Sequence, residues 1–212
     1  MINQNKLKKL ISNDRLKGYT TPFAQLRHKD PIILYKWNCA LSESFYPLLQ
    51  TIEVSFRNSV HQSIVQKFGD ENWLWKNALL LAKEKLIVNK VINVFEKKQK
   101  SYCVGDLIAE LKFGFWTALL DKRYEQKLWP KIIKLTLPGM DNKQRRIDNI
   151  RTRFHVIRKF RNRIMHYEPV WHWQNLQQIH DDILEAIEWI EPDLLQLVDI
   201  DRFSAIYTSG PR

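Results

Sequence analysis

The chain has 212 residues, of which 44% are hydrophobic, and they include eight Trp and ten Phe. This is enough apolar material for a packed core, so the composition excludes a globally disordered protein. The longest stretch without Asp, Glu, Lys or Arg covers residues 169–180, which is too short for a membrane helix of ~20 residues. We therefore expect a single domain over residues 1–212 that has no membrane contact.

Apolar residues recur at intervals of three and four along the whole chain, and the hairpin dipeptides Asn-Gly and Asp-Gly do not occur. The predicted helices cover residues 3–17, 33–68, 72–98, 116–124, 125–136, 142–165 and 173–190, with a connector over 20–31 and a short helix and turn within 101–115. Pro47 is expected to break or kink the second helix, and Gly69 to end it. The sequence predicts an all-α antiparallel bundle.

Two features indicate a cytoplasmic protein. Residues 1–17 alternate Lys with Leu and Ile and lack the apolar core of a signal peptide. Cys39 and Cys103 are far apart and do not have the spacing of metal ligands. We expect both to be buried free thiols, as in a reducing compartment.

The positive charge is concentrated in residues 143–163. This segment has nine cations and one anion, a net charge of +8, whereas the rest of the chain has 25 cations and 22 anions. One interpretation is salt-sensitive binding of a nucleic acid, and the other is a solvated helix face without a ligand. Arginine suits bidentate contact with phosphate. The candidate RNA-binding residues are Arg145, Arg146, Arg151, Arg153, Arg158, Lys159 and Arg163.

Arg161 interrupts the apolar stripe of the helix predicted over residues 142–165. The stripe consists of Ile147, Ile150, Phe154, Ile157 and Ile164. An arginine at this place must be paired, face a lined cavity, or extend to the surface at the helix end. His166 lies ~140° further around a continuous helix, but Pro169 indicates that the helix ends near His166. Beyond that end, His166 can turn toward Arg161 or toward a second copy of the site across a dimer axis.

Arg161, Asn162 and His166 are the candidate catalytic residues. A guanidinium can hold a phosphate and an imidazole can exchange a proton near neutral pH, so this pair could cleave RNA without a metal or cofactor. Asn162 could orient the imidazole or the phosphate. The bare spacing is a weak signal, but no other Arg in the chain is followed by a His after four to six intervening residues.

Three weaker groups have structural explanations that we favour. Glu53, Arg57 and His61 follow each other at four-residue steps, which is typical of ion pairs on a helix surface. An acidic helix contains His180, Asp181, Asp182 and Glu185, and a metal site there is the less favoured interpretation. Packing is favoured over base stacking for Trp73, Trp75, Trp171 and Trp173.

Several segments together resemble the Abi-like group, which is associated with abortive phage infection, within the HEPN superfamily. The HEPN mark is an Arg, four to six residues and a His, often with Asn after the Arg. The likeness covers Leu34-Tyr35-Lys36-Trp37-Asn38, Leu41-Ser42-Glu43, Ile52-Glu53-Val54-Ser55-Phe56-Arg57-Asn58, Phe113-Gly114-Phe115-Trp116, Lys127-Leu128-Trp129, Arg161-Asn162-Arg163-Ile164-Met165-His166, Glu168-Pro169, Trp189-Ile190 and Asp201-Arg202-Phe203. Family members often have a second His where this chain has Tyr167.

The resemblance implies a HEPN-type helical bundle with additional N-terminal helices, which is usually dimeric. It implies a metal-independent endoribonuclease with Arg161 and His166 of two subunits at the interface, acting in defence or as a toxin. Glu53, Arg57 and Asn58 would then support the site. The resemblance also allows an inhibitory protein partner. Some HEPN proteins are not nucleases, so the alternative is a non-catalytic helical module that binds RNA or a protein.

Overall fold

The computed structural model describes residues 4–20, 30–76, 78–99 and 101–211, and these residues form helices and no strand. The helices are α1 Gln4–Ile11, α2 Asn13–Leu16, α3 Pro31–Phe68, α4 Trp73–Lys76, α5 Ala82–Lys97, α6 Val104–Glu110, α7 Phe113–Ala118, α8 Lys122–Glu125, α9 Trp129–Thr136, α10 Ile147–Met165, α11 Leu176–Ile190 and α12 Asp201–Thr208, with 3₁₀ turns at Lys17–Tyr19 and Pro192–Leu197. The predicted all-α class is confirmed. Within the described ranges, no helix combines the length and the apolar character that crossing a membrane requires.

Helix α3 is the central element, and it packs against α7, α9, α11 and α12. It begins at Pro31, slightly before the predicted start, and the Asp30 side chain caps it by accepting a hydrogen bond from the Ile32 N–H. Gly69 ends it, as predicted, in the left-handed region with φ 69°. Of the predicted break or kink at Pro47, the break does not occur, because α3 continues through this residue. Phe45, Leu48 and Leu49 beside Pro47 are fully buried, and this packing offsets the ~3 kcal/mol that an interior proline costs.

Several predicted boundaries differ from the structure. The first helix is divided at Ser12, whose φ is 77°, and the helix predicted over 72–98 is divided into α4 and α5. Helix α7 begins at Phe113, earlier than predicted, because the Glu53 carboxylate accepts a hydrogen bond from the Phe113 N–H. Helix α12 was not predicted, and its Phe203 is buried against His180. Most of the predicted connector, residues 21–29, lies outside the described residues.

Both cysteines are free, as expected, but they are exposed rather than buried. Cys39 follows the buried Asn38 on α3, so its side chain lies on the opposite flank of the helix. Cys103 is the N-cap residue of α6. Helix position therefore overrides the usual tendency of a free cysteine to be buried.

Asn38 joins α3 to the segment that follows α10. Its side chain is 4% exposed, and its Oδ1 accepts hydrogen bonds from the N–H groups of Val170 at 2.7 Å and Trp171 at 3.1 Å. The Trp171 indole donates to the Gly18 carbonyl at 3.3 Å. A Cβ on Gly18 would lie 2.7 Å from Pro169 Cγ, so only glycine permits this close approach. Three segments distant in sequence thus meet just beyond the end of α10.

We expect Asn38→Ala to lower the free energy of unfolding by about 3 kcal/mol. The substitution leaves two buried N–H groups without an acceptor, and each such group costs about 1–3 kcal/mol. Urea denaturation measures the change. Asn58→Ala is the matched control, because Asn58 is an exposed residue on the same helix and surface changes cost about 0.5 kcal/mol or less. Equal effects of the two substitutions would contradict this role of Asn38.

His61 links α3 to α4. Its Nδ1 accepts a hydrogen bond from the Trp73 indole at 3.0 Å, which requires an unprotonated nitrogen. Burial lowers the pKa of His61 from its ordinary value of 6.5. The folded protein therefore holds a neutral imidazole that the unfolded chain protonates as the pH falls through 6.5.

Stability contributed by His61 is complete above pH ~6.5 and is lost as the pH falls from there toward the lowered pKa of the folded state. We expect the free energy of unfolding to decrease between about pH 7.5 and 5.5. His61→Gln keeps an acceptor for the Trp73 indole but does not titrate, so it should make this decrease smaller. Urea denaturation at a series of pH values tests this, and an unchanged pH dependence would count against it.

Candidate active site

Helix α10 ends at the candidate site in a Schellman motif. The Tyr167 N–H donates to the Ile164 carbonyl and the Glu168 N–H to the Arg163 carbonyl, both at 2.9 Å. Tyr167 has a φ of 58°, a backbone conformation at which glycine is usual and a bulky aromatic residue is strained. The prediction that the helix ends near His166 is confirmed, since His166 is the C-cap residue.

Arg161 is paired, which is one of the three arrangements that the sequence left open. Its Nε donates to Glu53 Oε2 at 3.1 Å, and its Nη2 lies 3.5 Å from Glu53 Oε1. The side chains are 25% and 19% exposed, respectively. Glu53 Oε1 also accepts the Phe113 N–H at 3.2 Å, so a single carboxylate fixes both Arg161 and the start of α7. The charge on the packed stripe is therefore compensated within the fold.

The ion-pair ladder that we favoured for Glu53, Arg57 and His61 is wrong. Glu53 pairs with Arg161, Arg57 Nη1 donates to the Ala109 carbonyl at 3.2 Å, and His61 accepts from Trp73. These tertiary partners are stronger competitors than an i,i+4 contact worth a few tenths of a kcal/mol. Asn58 is exposed on the same helix. Of the three predicted supporting residues, Glu53 makes a direct contact with the candidate catalytic arginine.

Asn162 and His166 are exposed beside this ion pair. Arg161 Nη1 lies 3.4 Å from Asn162 Oδ1. Within the described part of the chain, no hydrogen bond joins the Arg161 guanidinium to the His166 imidazole. Asn162 and His166 are separated by one helical turn and so share a face of α10, whereas Arg161 points toward α3. One subunit thus presents the guanidinium and the imidazole on different sides of Asn162.

Arg15 holds the turn that carries His166, and sequence reasoning missed this residue. Its Nη1 donates to the Tyr167 carbonyl at 2.8 Å and lies 3.5 Å from the His166 carbonyl. The contact spans about 150 residues, and no local pattern around Arg15 could have indicated it. The N-terminal segment therefore contributes to the position of the candidate catalytic histidine.

The basic segment is largely compensated by carboxylates from elsewhere in the fold. Arg151 pairs with Glu125, Arg153 with Asp182 and Glu185, Arg161 with Glu53, and Arg163 with Glu168. These five carboxylates lie outside residues 143–163, so they reduce the local net charge from +8 to +3. The net charge that this segment offers to a nucleic acid is therefore smaller than its sequence indicates.

The other predicted RNA-binding residues differ in their surroundings. Arg145 donates to the Pro138 and Met140 carbonyls and to the Asn142 side chain, where it organises the loop before α10. Arg146 and Lys159 are exposed and Arg158 is partly exposed. The cations open to a ligand are thus a subset of those that the charge pattern indicated.

The acidic residues of α11 bind arginine instead of forming a metal cluster. Asp182 and Glu185 lie within ion-pair distance of Arg153, and His180 is buried against Phe203. Among the residues that the structure describes, no group of three His, Cys, Asp or Glu is arranged to hold a metal ion. Packing is also confirmed for Trp73 and Trp171, which are 2% and 3% exposed.

A family model described as Abi-like protein matches residues 6–172. The chain belongs to the Abi-like protein family. The match includes Arg161, Asn162 and His166 together with their contacts Arg15 and Glu53. Comparisons of this Abi-like chain with curated proteins and with solved structures found no match.

The Glu53–Arg161 pair should show a coupling energy of about 1–2 kcal/mol in a double-mutant cycle of Glu53→Gln and Arg161→Met. The pair is mostly shielded from water, and loss of either partner leaves the other group uncompensated. Urea denaturation of the four proteins gives this value.

The matched control is the same cycle at Glu43 and Arg202, a pair joined at 2.6 Å whose side chains are 60% and 46% exposed. Its coupling should be about 0.5 kcal/mol or less, because solvent screens exposed pairs. Similar couplings in the two cycles would mean that burial does not strengthen the Glu53–Arg161 contact.

Proposed function

We propose that this Abi-like protein is a metal-independent endoribonuclease of the HEPN type that acts in phage defence or as a toxin in the cytoplasm. The observation that carries the proposal is an arginine on a packed stripe, oriented by Glu53 and placed next to Asn162, with an exposed histidine at the end of the same helix. Catalytic groups need this kind of support from surrounding residues to keep a reactive geometry.

The proposed reaction uses the ribose 2′-hydroxyl as its nucleophile. The 2′-oxygen forms a bond to phosphorus, the bond from phosphorus to the 5′-oxygen breaks, and the product ends in a 2′,3′-cyclic phosphate. An imidazole takes the proton of the 2′-hydroxyl, and a second imidazole in its protonated form gives one to the leaving 5′-oxygen. DNA lacks the nucleophile and should not be cleaved.

Arg161 would bind the scissile phosphate. Two of its nitrogens face Glu53 and a third lies near Asn162, but a guanidinium has five N–H donors, so donors remain for a phosphate oxygen. A fixed cation stabilises the negative charge that develops at phosphorus. Glu53 is a positioning residue in this scheme because it orients the guanidinium without touching the substrate.

A homodimer would supply the second imidazole. Arg161 contacts Glu53 and not the His166 of its own chain, and His166 is exposed at the end of α10. Two copies related by an axis near His166 could bring both imidazoles to one phosphate, one as base and one as acid. We propose this dimer as the active form, with RNA as substrate and an inhibitory protein as a further candidate partner.

The strained Tyr167 backbone supports the placement of the site here. Tyr167 is 69% exposed and adopts a positive φ, which costs ~1–2 kcal/mol at a non-glycine residue. Strain of this kind is concentrated at functional sites. Arg15 and the Schellman hydrogen bonds hold the turn in this conformation.

We expect wild-type protein to cleave labelled RNA in the presence of EDTA, to leave DNA of the same sequence intact, and to produce 2′,3′-cyclic phosphate ends. His166→Ala and Arg161→Ala should each lower the cleavage rate by about 10²-fold or more, the range for loss of a general acid–base group. Arg202→Ala is the control for loss of one arginine, since Arg202 pairs with Glu43 at an exposed position.

Two results would contradict the proposal. If wild type and His166→Ala bind RNA equally and neither cleaves it, the protein is a non-catalytic binding module. If cleavage requires an added divalent ion and survives His166→Ala, the chemistry is that of a metal nuclease. Sedimentation should show a dimer at micromolar concentration, and a monomer that retains full activity would exclude the shared site.

A further inference from the structure

A cationic cleft lies beside the middle of α10, on the N-terminal side of His166. It has a volume of about 250 Å³ and is bounded by residues of α5, α7 and α10 and by the start of α8. Its charged lining consists of Lys83, Glu84, Asp121, Arg123, Arg151 and Arg158, together with His155. The cleft is separate from the Glu53–Arg161 pair, and the proposed reaction does not use it.

The two carboxylates of the cleft share Arg123 as their cationic partner. Glu84 is fully buried, accepts a hydrogen bond from the Tyr124 hydroxyl at 2.9 Å and lies 3.7 Å from Arg123. Asp121 accepts hydrogen bonds from Arg123 at 2.8 and 3.0 Å, and these bonds lower its pKa. Arg151 pairs with Glu125 and Asp148.

Three residues of the cleft have side chains available to bind a ligand: Lys83, His155 and Arg158. Within the described residues, none of these three side chains takes part in a hydrogen bond or ion pair, and Lys83 and His155 are exposed. The charged residues that line the cleft are four cations and two carboxylates, a formal net charge of +2, and His155 adds a donor. Such a group of cations attracts an anion of the size of a phosphate.

The cleft and His166 lie along one face of α10. Arg151, His155, Arg158, Asn162 and His166 fall within an arc of about 80° at ~100° per residue. None of them is buried. At ~1.5 Å per residue, His166 is about 12 Å from Arg158 and about 22 Å from Arg151 along the helix. A strand with ~3.4 Å between nucleotides would cover these distances with about four to seven nucleotides.

We propose that the cleft formed by Lys83, His155 and Arg158 is a phosphate subsite that binds the RNA backbone a few nucleotides away from the scissile bond. This inference rests on the proposed function, since it assigns the RNA strand a path along α10 from the cleft to His166. The subsite would give the protein a preference for substrates long enough to reach both places. It reads the backbone and carries no base specificity.

The test measures binding and cleavage separately. Binding is measured by fluorescence anisotropy with RNA of about ten nucleotides and with a dinucleotide, both 2′-O-methylated so that they cannot be cleaved. The variant is Lys83→Ala combined with Arg158→Ala. The matched control is Lys90→Ala combined with Arg202→Ala, which removes the same two charges from α5 and from α12, outside the cleft.

We expect the cleft variant to bind the longer RNA about tenfold more weakly than the control does, the order for loss of a charge-assisted bond to phosphate. The plot of log K against log salt has a negative slope, and its magnitude should be smaller by about 0.7 for each phosphate that the variant no longer binds. Dinucleotide binding should be the same in both proteins. With unmodified RNA, the cleft variant should have a lower kcat/KM than the control for the longer substrate, and the same kcat/KM as the control for the dinucleotide.

The outcomes separate this inference from the proposed function. If wild type does not cleave RNA, the nuclease proposal fails. The subsite still stands in that case if the cleft variant no longer binds the longer RNA more tightly than the dinucleotide. If wild type cleaves RNA and the cleft variant matches the control in affinity, salt slope and kcat/KM, the subsite is wrong. The subsite is also wrong if inorganic phosphate competes equally well with the binding of the longer RNA and with the binding of the dinucleotide.

Discussion

The contact between Glu53 and Arg161 determines how the central helix α3 meets α10. An arginine on the packed stripe of a helix would cost several kcal/mol if it were unpaired, and Glu53 compensates it at 3.1 Å. The same carboxylate fixes the first residue of α7. The pair is therefore both a structural contact between three helices and the group that orients the proposed phosphate-binding cation.

A second set of contacts fixes the end of α10. Asn38, Gly18 and Arg15 come from the N-terminal third of the chain, and each contacts the segment between His166 and Trp171. The exposed histidine is thus attached to a turn whose backbone is held from three directions. This arrangement allows a strained Tyr167 to persist, because the surrounding hydrogen bonds outweigh the cost of its positive φ.

Charge has two functions along α10. Arg153 pairs with carboxylates of α11 and Arg161 with one of α3, so both connect the helix to its neighbours, and Arg163 pairs with Glu168 in the turn after α10. The side chains of Arg158 and the nearby Lys83 have no ion pair among the described residues. The net charge of a segment does not separate these groups, since a paired and an unpaired arginine contribute equally to it. Arg158 lies on the face of α10 that leads to His166, and Lys83 of α5 lines the same cleft, so the proposed path of the RNA follows these two cations.

The sequence by itself determined the all-α class, the end of α3 at Gly69, the end of α10 near His166, and Arg161 as an anomalous position. These depend on local periodicity and on the backbone preferences of Gly and Pro. Tertiary structure decided the rest. Pro47 stays within a helix because buried neighbours hold it, and Glu53 pairs with Arg161 rather than with Arg57 because a partner from another helix replaces the weak local contact. Such choices depend on residues about a hundred positions apart, which no local pattern reports.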